Sequence, residues 1–185
     1  MRSLALAGAL CLALGAYQIS HRAFVRRASE VDSEVFLAAN RGDVTRLALL
    51  LQNYRRLRTS LSLPLTAASS AGHVSAVRLL LQSGAPADGL DEQGVSALAW
   101  AASYGHSSIV QLLIAYGADV NVADAQYGYT PLMEAVRKGH LTTVRILLSS
   151  GARLDARTKG GSTALSLARM RRDTAMMELL SEKRE

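Results

Sequence analysis

Three histidines recur in the sequence at nearly equal intervals, and imidazole is the side chain that most often binds metal ions. His73, His106 and His140 each follow a glycine and lie 33 and 34 residues apart. A period of this length indicates successive copies of one repeated unit, in which equivalent residues are about 10 Å apart, the spacing of packed helices. A zinc ion requires ligand atoms about 2.0–2.1 Å away. The spacing therefore argues against a shared metal site.

The sequence offers no other arrangement typical of catalysis. The carboxylates of Asp88, Asp119, Asp124 and Asp155 recur with the same period, which is typical of turn and cap residues. No nucleophile is paired with a base, and no glycine-rich phosphate loop follows a predicted strand. Cys11 is the only cysteine, so the chain cannot form an internal disulfide. We expect a protein that is not an enzyme and that binds neither a metal nor another cofactor.

The period extends to glycines and to the helical segments between them. Gly42, Gly72, Gly105 and Gly139 are separated by 30, 33 and 34 residues, and a Gly-Ala pair recurs at Gly84, Gly117 and Gly151. Before each of the last three turn glycines, a hydroxyl or small residue and an alanine-rich stretch predict a short helix. After it, rows of leucine, isoleucine and valine predict a second helix covered by neighbouring repeats.

Several of these motifs resemble the ankyrin repeat: Thr130-Pro131-Leu132, the three Gly-His pairs, and Gly117-Ala118-Asp119-Val120-Asn121. The resemblance implies an all-α solenoid of helix-turn-helix units with β-turn fingers, and it implies that the three histidines hydrogen-bond to backbone between repeats. We expect an ankyrin-repeat domain over residues 30–185. Its repeats would cover about residues 33–62, 63–95, 96–128, 129–161 and 162–185.

Departures from the repeat pattern fall at the two ends and in one finger. The first unit has Asp43 in the histidine position, and the last has Arg172 in place of the turn glycine, as expected of end caps. The finger of the fourth unit, from Asp124 to Gly128, is one residue longer than the finger of the third. An insertion there changes the surface without disturbing the stack.

Residues 1–29 predict a signal peptide or a membrane anchor with a basic flank. No charged residue occurs between Ser3 and Ile19, and three arginines follow. Seventeen apolar residues are at the low edge for a membrane span, while the shorter apolar centre also suits a secretory signal cleaved before Ala16. A transit peptide fits less well. We expect a protein anchored through residues 3–19 with its solenoid in the cytoplasm, or exported (periplasmic or secreted) after cleavage, and not freely cytosolic.

The charge distribution argues against nucleic acid as a partner. Residues 1–29 carry four arginines and no acidic residue, so the remaining chain is nearly neutral. Aromatic residues make up 5% of the sequence and do not alternate with the basic ones. The resemblance instead implies one or more protein partners, bound by the fingers and the first helices of a monomeric solenoid.

Carried onto this sequence, the family's binding positions define a predicted contact patch in the third and fourth repeats. Tyrosine, tryptophan and arginine are enriched in binding hot spots, and we also expect Trp100 and Met133 to be partly exposed. The patch is centred on Tyr104, Tyr127, Tyr129, Arg137 and Lys138, with Glu92, Gln93 and Gln126 at the fingers.

The sequence thus favours a non-enzymatic interaction module, an adaptor, scaffold or inhibitor, that is tethered to a membrane or exported. The alternative is a peripheral lipid-associated structural protein that acts through its basic N-terminal end. Arginines near the apolar segment would then contact anionic headgroups, each contributing about 1 kcal/mol. These lipid-contact candidates are Arg22, Arg26, Arg27, Arg55, Arg56 and Arg58.

Overall fold

A computed structural model describes residues 32–54 and 60–182. The apolar segment and all six arginines proposed to contact lipid lie outside these residues. The described chain forms ten helices that stack in sequence order. They are α1 (32–41), α2 (Val44–Tyr54), α3 (Ser62–Ala71), α4 (Val74–Gln82), α5 (Ala97–Ser103), α6 (Ser107–Ala115), α7 (Pro131–Lys138), α8 (Leu141–Ser149), α9 (Ala164–Arg171) and α10 (Thr174–Glu182).

Each repeat contributes one helix to each of two rows. The first helices α3, α5, α7 and α9 pack more closely on one another than the second helices do. Small buried residues such as Ala101 and Ala135 permit this close approach, whereas Leu80 and Leu113 hold the second helices farther apart. The difference curves the stack, so that the first helices form its concave side. Within the described residues, an isolated antiparallel bridge between Leu90 and Ser96 is the one strand-like pairing.

A continuous apolar core runs between the two rows. Leu65, Leu98 and Leu132 of the first helices are at most 1% exposed, and they pack with fully buried Leu80 and Leu113 of the second helices. Each such side chain contributes about 1.5–3 kcal/mol on burial. Because every interior repeat needs both neighbours to cover this surface, the stack is stabilised as a unit.

Hydroxyl side chains cap α5, α7 and α9, as predicted, whereas α3 has Leu61 at this position and no side-chain cap. Ser96, Thr130 and Thr163 accept hydrogen bonds from backbone amides three residues later, at 3.1–3.3 Å. Gly139 ends α7 at φ +85°, a left-handed conformation that an L side chain rarely adopts. Arg172 adopts a similar conformation, with φ +57°, after α9. The last turn therefore keeps the left-handed geometry of its predecessors without a glycine.

The fingers between repeats are held by carboxylates, as predicted from their periodicity. Asp88 accepts a hydrogen bond from the Asp119 amide at 2.7 Å, across one repeat boundary. The Gly94 amide donates to the carbonyl of Asp91, three residues earlier, whereas the Gly128 amide donates to Asp124, four residues earlier. The extra residue predicted in the fourth finger is therefore absorbed within its turn.

Candidate functional site

A groove of about 380 Å³ lies between the third and fourth fingers and the helices α5 and α7. We call it the concave groove. It is lined by finger residues and by side chains from the two helices. The lining residues are Gln93, Val95, Ala99, Trp100, Ser103, Asp124, Gln126, Tyr127, Tyr129, Glu134 and Arg137.

Five of the eight residues predicted to bind a partner line this groove. They are Gln93, Gln126, Tyr127, Tyr129 and Arg137. The ring of Tyr127 is prominent, with 57% of the residue exposed, and it meets Tyr129 edge to face at a centroid distance of 6.3 Å. The longer fourth finger therefore brings two tyrosines, a predicted hot-spot residue type, to one wall.

The other three predicted residues lie at the rim. Tyr104 is 54% exposed at the end of α5, where its ring stacks on Trp100 at 6.0 Å and on His106 at 6.0 Å. Lys138 is exposed at the end of α7, and Glu92 is exposed at the tip of the third finger. These residues are next to the groove without lining it.

The third and fourth fingers are rigidly positioned by Asp91 and Asp124. Asp91 accepts from the amides of Gln93 and Val95, both at 2.9 Å, and from the Trp100 indole N–H at 2.7 Å. The third finger is thereby fixed to α5. Asp124 accepts from three amides of its own finger, those of Gln126, Tyr127 and Tyr129. Neither carboxylate depends on a partner for its orientation.

Glu134 connects the two first helices at the centre of the groove. Its Oε2 atom accepts a hydrogen bond from the Ser103 hydroxyl at 2.8 Å and pairs with Nη2 of Arg137 at 2.7 Å. The guanidinium of Arg137 also lies over the Tyr129 ring, 5.7 Å from its centroid. This arrangement holds Arg137 against the groove wall and neutralises Glu134.

Trp100, Asp124 and Glu134 were not among the predicted contact residues, although all three line the groove. A signal for the acidic ones exists in the sequence, because residues 60–136 contain six acidic residues and one basic residue, Arg78. Trp100 is half-buried, as expected of a partly exposed residue, but the expectation for Met133 was wrong. Met133 is 1% exposed, because its side chain packs into the apolar core.

The three histidines hydrogen-bond between repeats, as the family resemblance implied. Nε2 of His106 lies 3.0 Å from the carbonyl oxygen of Ser70, and Nε2 of His140 lies 3.0 Å from that of Ser103. His73 makes the same contact to Asn40 at 3.1 Å. Since a carbonyl can only accept, each Nε2 carries the proton. The residues described contain no group of three potential ligands close enough to hold a metal ion.

Two further observations concern regions away from the groove. The guanidinium of Arg153 hydrogen-bonds to Asp155 and lowers the pKa of that carboxyl, while the pKa of Arg153 itself is raised. Both side chains are largely exposed, so the pair has little effect on stability. No helix in residues 32–54 or 60–182 combines the length and the apolar character that a membrane span requires.

Comparison with known proteins agrees with this architecture. The family model for ankyrin repeats (three copies) matches residues 35–124 and 117–185. An ankyrin repeat-containing protein of Treponema pallidum (strain Nichols) is 33% identical over 152 residues, which cover 82% of this chain and 50% of that protein.

Two human relatives match over shorter segments. Ankyrin repeat domain-containing protein 63 is 36% identical over 99 residues, which cover 51% of this chain and 26% of that protein. Palmitoyltransferase ZDHHC17 is 38% identical over 66 residues, only 10% of its length. The chain thus spans half or less of the length of these relatives. The helix pairs, the inter-repeat histidines and the family match together lead to one conclusion: the chain belongs to the ankyrin repeat family.

Proposed function

We propose that this protein is a protein–protein interaction module, an adaptor, scaffold or inhibitor, whose partner binds in the concave groove. The observation that carries the proposal is the convergence of predicted binding residues on one depression. Gln93, Gln126, Tyr127, Tyr129 and Arg137 come from two fingers and one helix, yet they line a single groove. Residues that only cap turns or pack repeats would not need to meet there.

The groove also has the physical character of a binding surface. Tyrosines present a large contact area with few rotatable bonds, so little conformational entropy is lost when a partner immobilises them. Tyr104 and Tyr127 are each more than half exposed. Asp91 and Asp124 already hold the fingers in place, which reduces the ordering cost of binding. Preorganised aromatic residues of this kind are typical of hot spots.

Site-specific photo-crosslinking in the cells that make the protein tests this proposal. A p-benzoylphenylalanine replaces Tyr127 in one variant and Tyr116 in a matched control. Tyr116 is 42% exposed at the end of the second helix α6 and does not line the groove. We expect a discrete crosslinked protein only from position 127. Equal crosslinking from both positions, or none from 127, would contradict the proposed site.

We further propose that residues 1–27 deliver the repeat domain to a membrane or across one. The support is the uncharged segment Ser3–Ile19, flanked by Arg2 and by three following arginines. The intact mass of the protein recovered from its own cells tests this. A full-length chain in the membrane fraction would indicate an anchor, and a chain starting near Ala16 would indicate export. A full-length chain that fractionates without membranes would contradict both.

A further inference from the structure

Charge is strongly segregated along the solenoid. Residues 60–136, which include the second and third repeats, contain Arg78 as their one basic residue and six acidic residues. Residues 137–182 have the opposite character, with nine basic and four acidic residues. The concave groove lies at the boundary, and its carboxylates belong to the acidic segment. The electrostatic potential in the groove therefore depends on the charges of both segments as well as on the residues that line it.

Within the groove, one carboxylate has no cationic partner among the described residues and the other is held in an ion pair. Asp124 accepts only from neutral backbone amides. Glu134 is neutralised by Arg137 at 2.7 Å. Asp91 and Glu92 on the neighbouring finger, like Asp124, form no ion pair with any other described residue. The groove and its edge hold four carboxylates, and the nearby cations are Arg137, Lys138 at the rim and Lys159, which donates to the Ala125 carbonyl at 2.6 Å. The charge beside the aromatic rings is therefore negative by one.

Aromatic rings reinforce this preference for a cation. The faces of tryptophan and tyrosine rings attract guanidinium and ammonium groups, and Trp100, Tyr127 and Tyr129 all line the groove. The structure contains one such contact already, in which Arg137 lies 5.7 Å from the Tyr129 centroid. Because Arg137 is already paired with Glu134, we expect it to bind a carboxylate from a partner only weakly.

We propose that the concave groove receives an arginine or lysine side chain from an extended segment of the partner. The cation lies among Trp100, Tyr127 and Tyr129 and is paired electrostatically with Asp124. This inference rests on the proposed function and specifies the partner's chemistry: basic at the inserted position, with flanking apolar residues against the exposed tyrosines. A partner that presents an acidic side chain there is disfavoured by the same charges.

Trp100 provides a direct readout, because it is the single tryptophan of the chain. The probes are two blocked pentapeptides, acetyl-Ala-Leu-Arg-Leu-Ala-amide and its counterpart with glutamate at the centre. Each is titrated into the full-length protein while tryptophan emission is followed. We expect saturable binding of the arginine peptide, with a Kd on the order of 1 mM, and affinity for the glutamate peptide at least about fivefold weaker.

Two variants separate electrostatic recognition from a structural role. Glu134→Gln leaves Arg137 unneutralised, so the arginine peptide should bind about threefold to fivefold more weakly. Arg137→Gln leaves Glu134 unneutralised, so the same peptide should bind more tightly by a similar factor. A role limited to holding the groove together would weaken binding in both variants. Glu178→Gln, an exposed change on α10, has the same charge effect as Glu134→Gln and should leave the affinity unchanged.

The proposal is overturned if neither peptide saturates, if the glutamate peptide binds as well as the arginine peptide, or if both groove variants shift affinity in the same direction. The crosslinking experiment at Tyr127 is independent of these titrations. If a partner is crosslinked but the two peptides bind equally well, the proposed interaction module stands and only the preference for a cation is wrong. If the arginine peptide binds more tightly than the glutamate peptide but no partner is crosslinked, the proposal that a protein partner binds in the groove is wrong.

Discussion

Arg171 donates a hydrogen bond from Nη1 to the carbonyl oxygen of Arg137 at 2.8 Å, the contact that a histidine ring makes in earlier repeats. One repeat earlier, His140 lies in the same way against the carbonyl of Ser103. A Cβ atom placed on Gly139 would lie 2.6 Å from the Arg171 guanidinium, just as one placed on Gly105 would lie 2.6 Å from the His140 ring. The last repeat therefore keeps the inter-repeat bond with a different residue type.

Loss of this bond should loosen the C-terminal end of the stack. We expect Arg171→Ala to lower the free energy of unfolding by about 1 kcal/mol, because a charged donor to a carbonyl is removed. Native-state hydrogen exchange should locate the loss in α9 and α10, since repeats contact only their neighbours. Exchange rates in α10 that match the wild type would show that Arg171 does not hold the last repeat.

The neighbouring Arg172 should respond in the opposite way. Its φ of +57° is the one positive value at a non-glycine residue among those described. Glycine adopts this conformation without steric cost, so Arg172→Gly should raise the free energy of unfolding by about 1 kcal/mol. Urea denaturation measures the change. Both variants lose one positive charge at adjacent positions, so a similar shift in both would indicate a charge effect instead.

His106 should stabilise the fold through its hydrogen bond and its ring contact, and not by binding a metal. His106→Ala removes the contact to Ser70 and the stacking on Tyr104. We expect a loss of about 1–2 kcal/mol in urea denaturation. Neither a chelator nor added zinc should change the midpoint of the wild-type protein. A midpoint that rises with zinc in the wild type and not in the variant would contradict this account.

Ser69 should be a site of easy stabilisation. It is 0% exposed in α3, and its hydroxyl has no hydrogen-bond partner among the described residues. The equivalent residues of the next two repeats, Ala102 and Val136, are apolar and equally buried. Ser69→Ala should therefore raise the free energy of unfolding by about 1 kcal/mol.

The adjacent Ser70 is the matched control for this change. Its hydroxyl donates to the carbonyl of Ala67 at 2.9 Å, so Ser70→Ala removes a satisfied group and gains the same helix propensity. The Ser69 variant should be the more stable of the two in thermal or urea unfolding. Equal stabilities would mean that burial of the Ser69 hydroxyl does not destabilise the fold.

Features that repeat with the period could be predicted from the sequence, because several copies report the same physical requirement. The turn at Gly139 was predicted in this way, and the longer finger after Asp124 was predicted as a departure from the period. The contact of His140 was implied by the family resemblance. Arg171 was not, because its side chain reaches the histidine site from a different position in the chain. Only the folded turn shows that the two side chains take the same place.

Features of the groove that depend on contacts between repeats were harder to predict. Glu134 forms an i,i+3 ion pair with Arg137 inside α7, but its contact with Ser103 exists only after α5 and α7 stack. Met133 was expected to be partly exposed, but the sequence of a short helix does not fix which side faces the core. Three-dimensional packing decides both cases.

The central claim, that a partner binds in the concave groove, is tested most directly by the affinity of the crosslinked partner for three purified proteins. These are the wild type, the double variant Tyr104→Ala with Tyr127→Ala, and the control Tyr116→Ala. We predict a loss of more than about 1 kcal/mol of binding free energy in the double variant and full affinity in the control. The double variant should remain folded, losing at most about 1 kcal/mol of unfolding free energy through the ring contacts of Tyr104 and Tyr127. Wild-type affinity in a folded double variant would contradict the account.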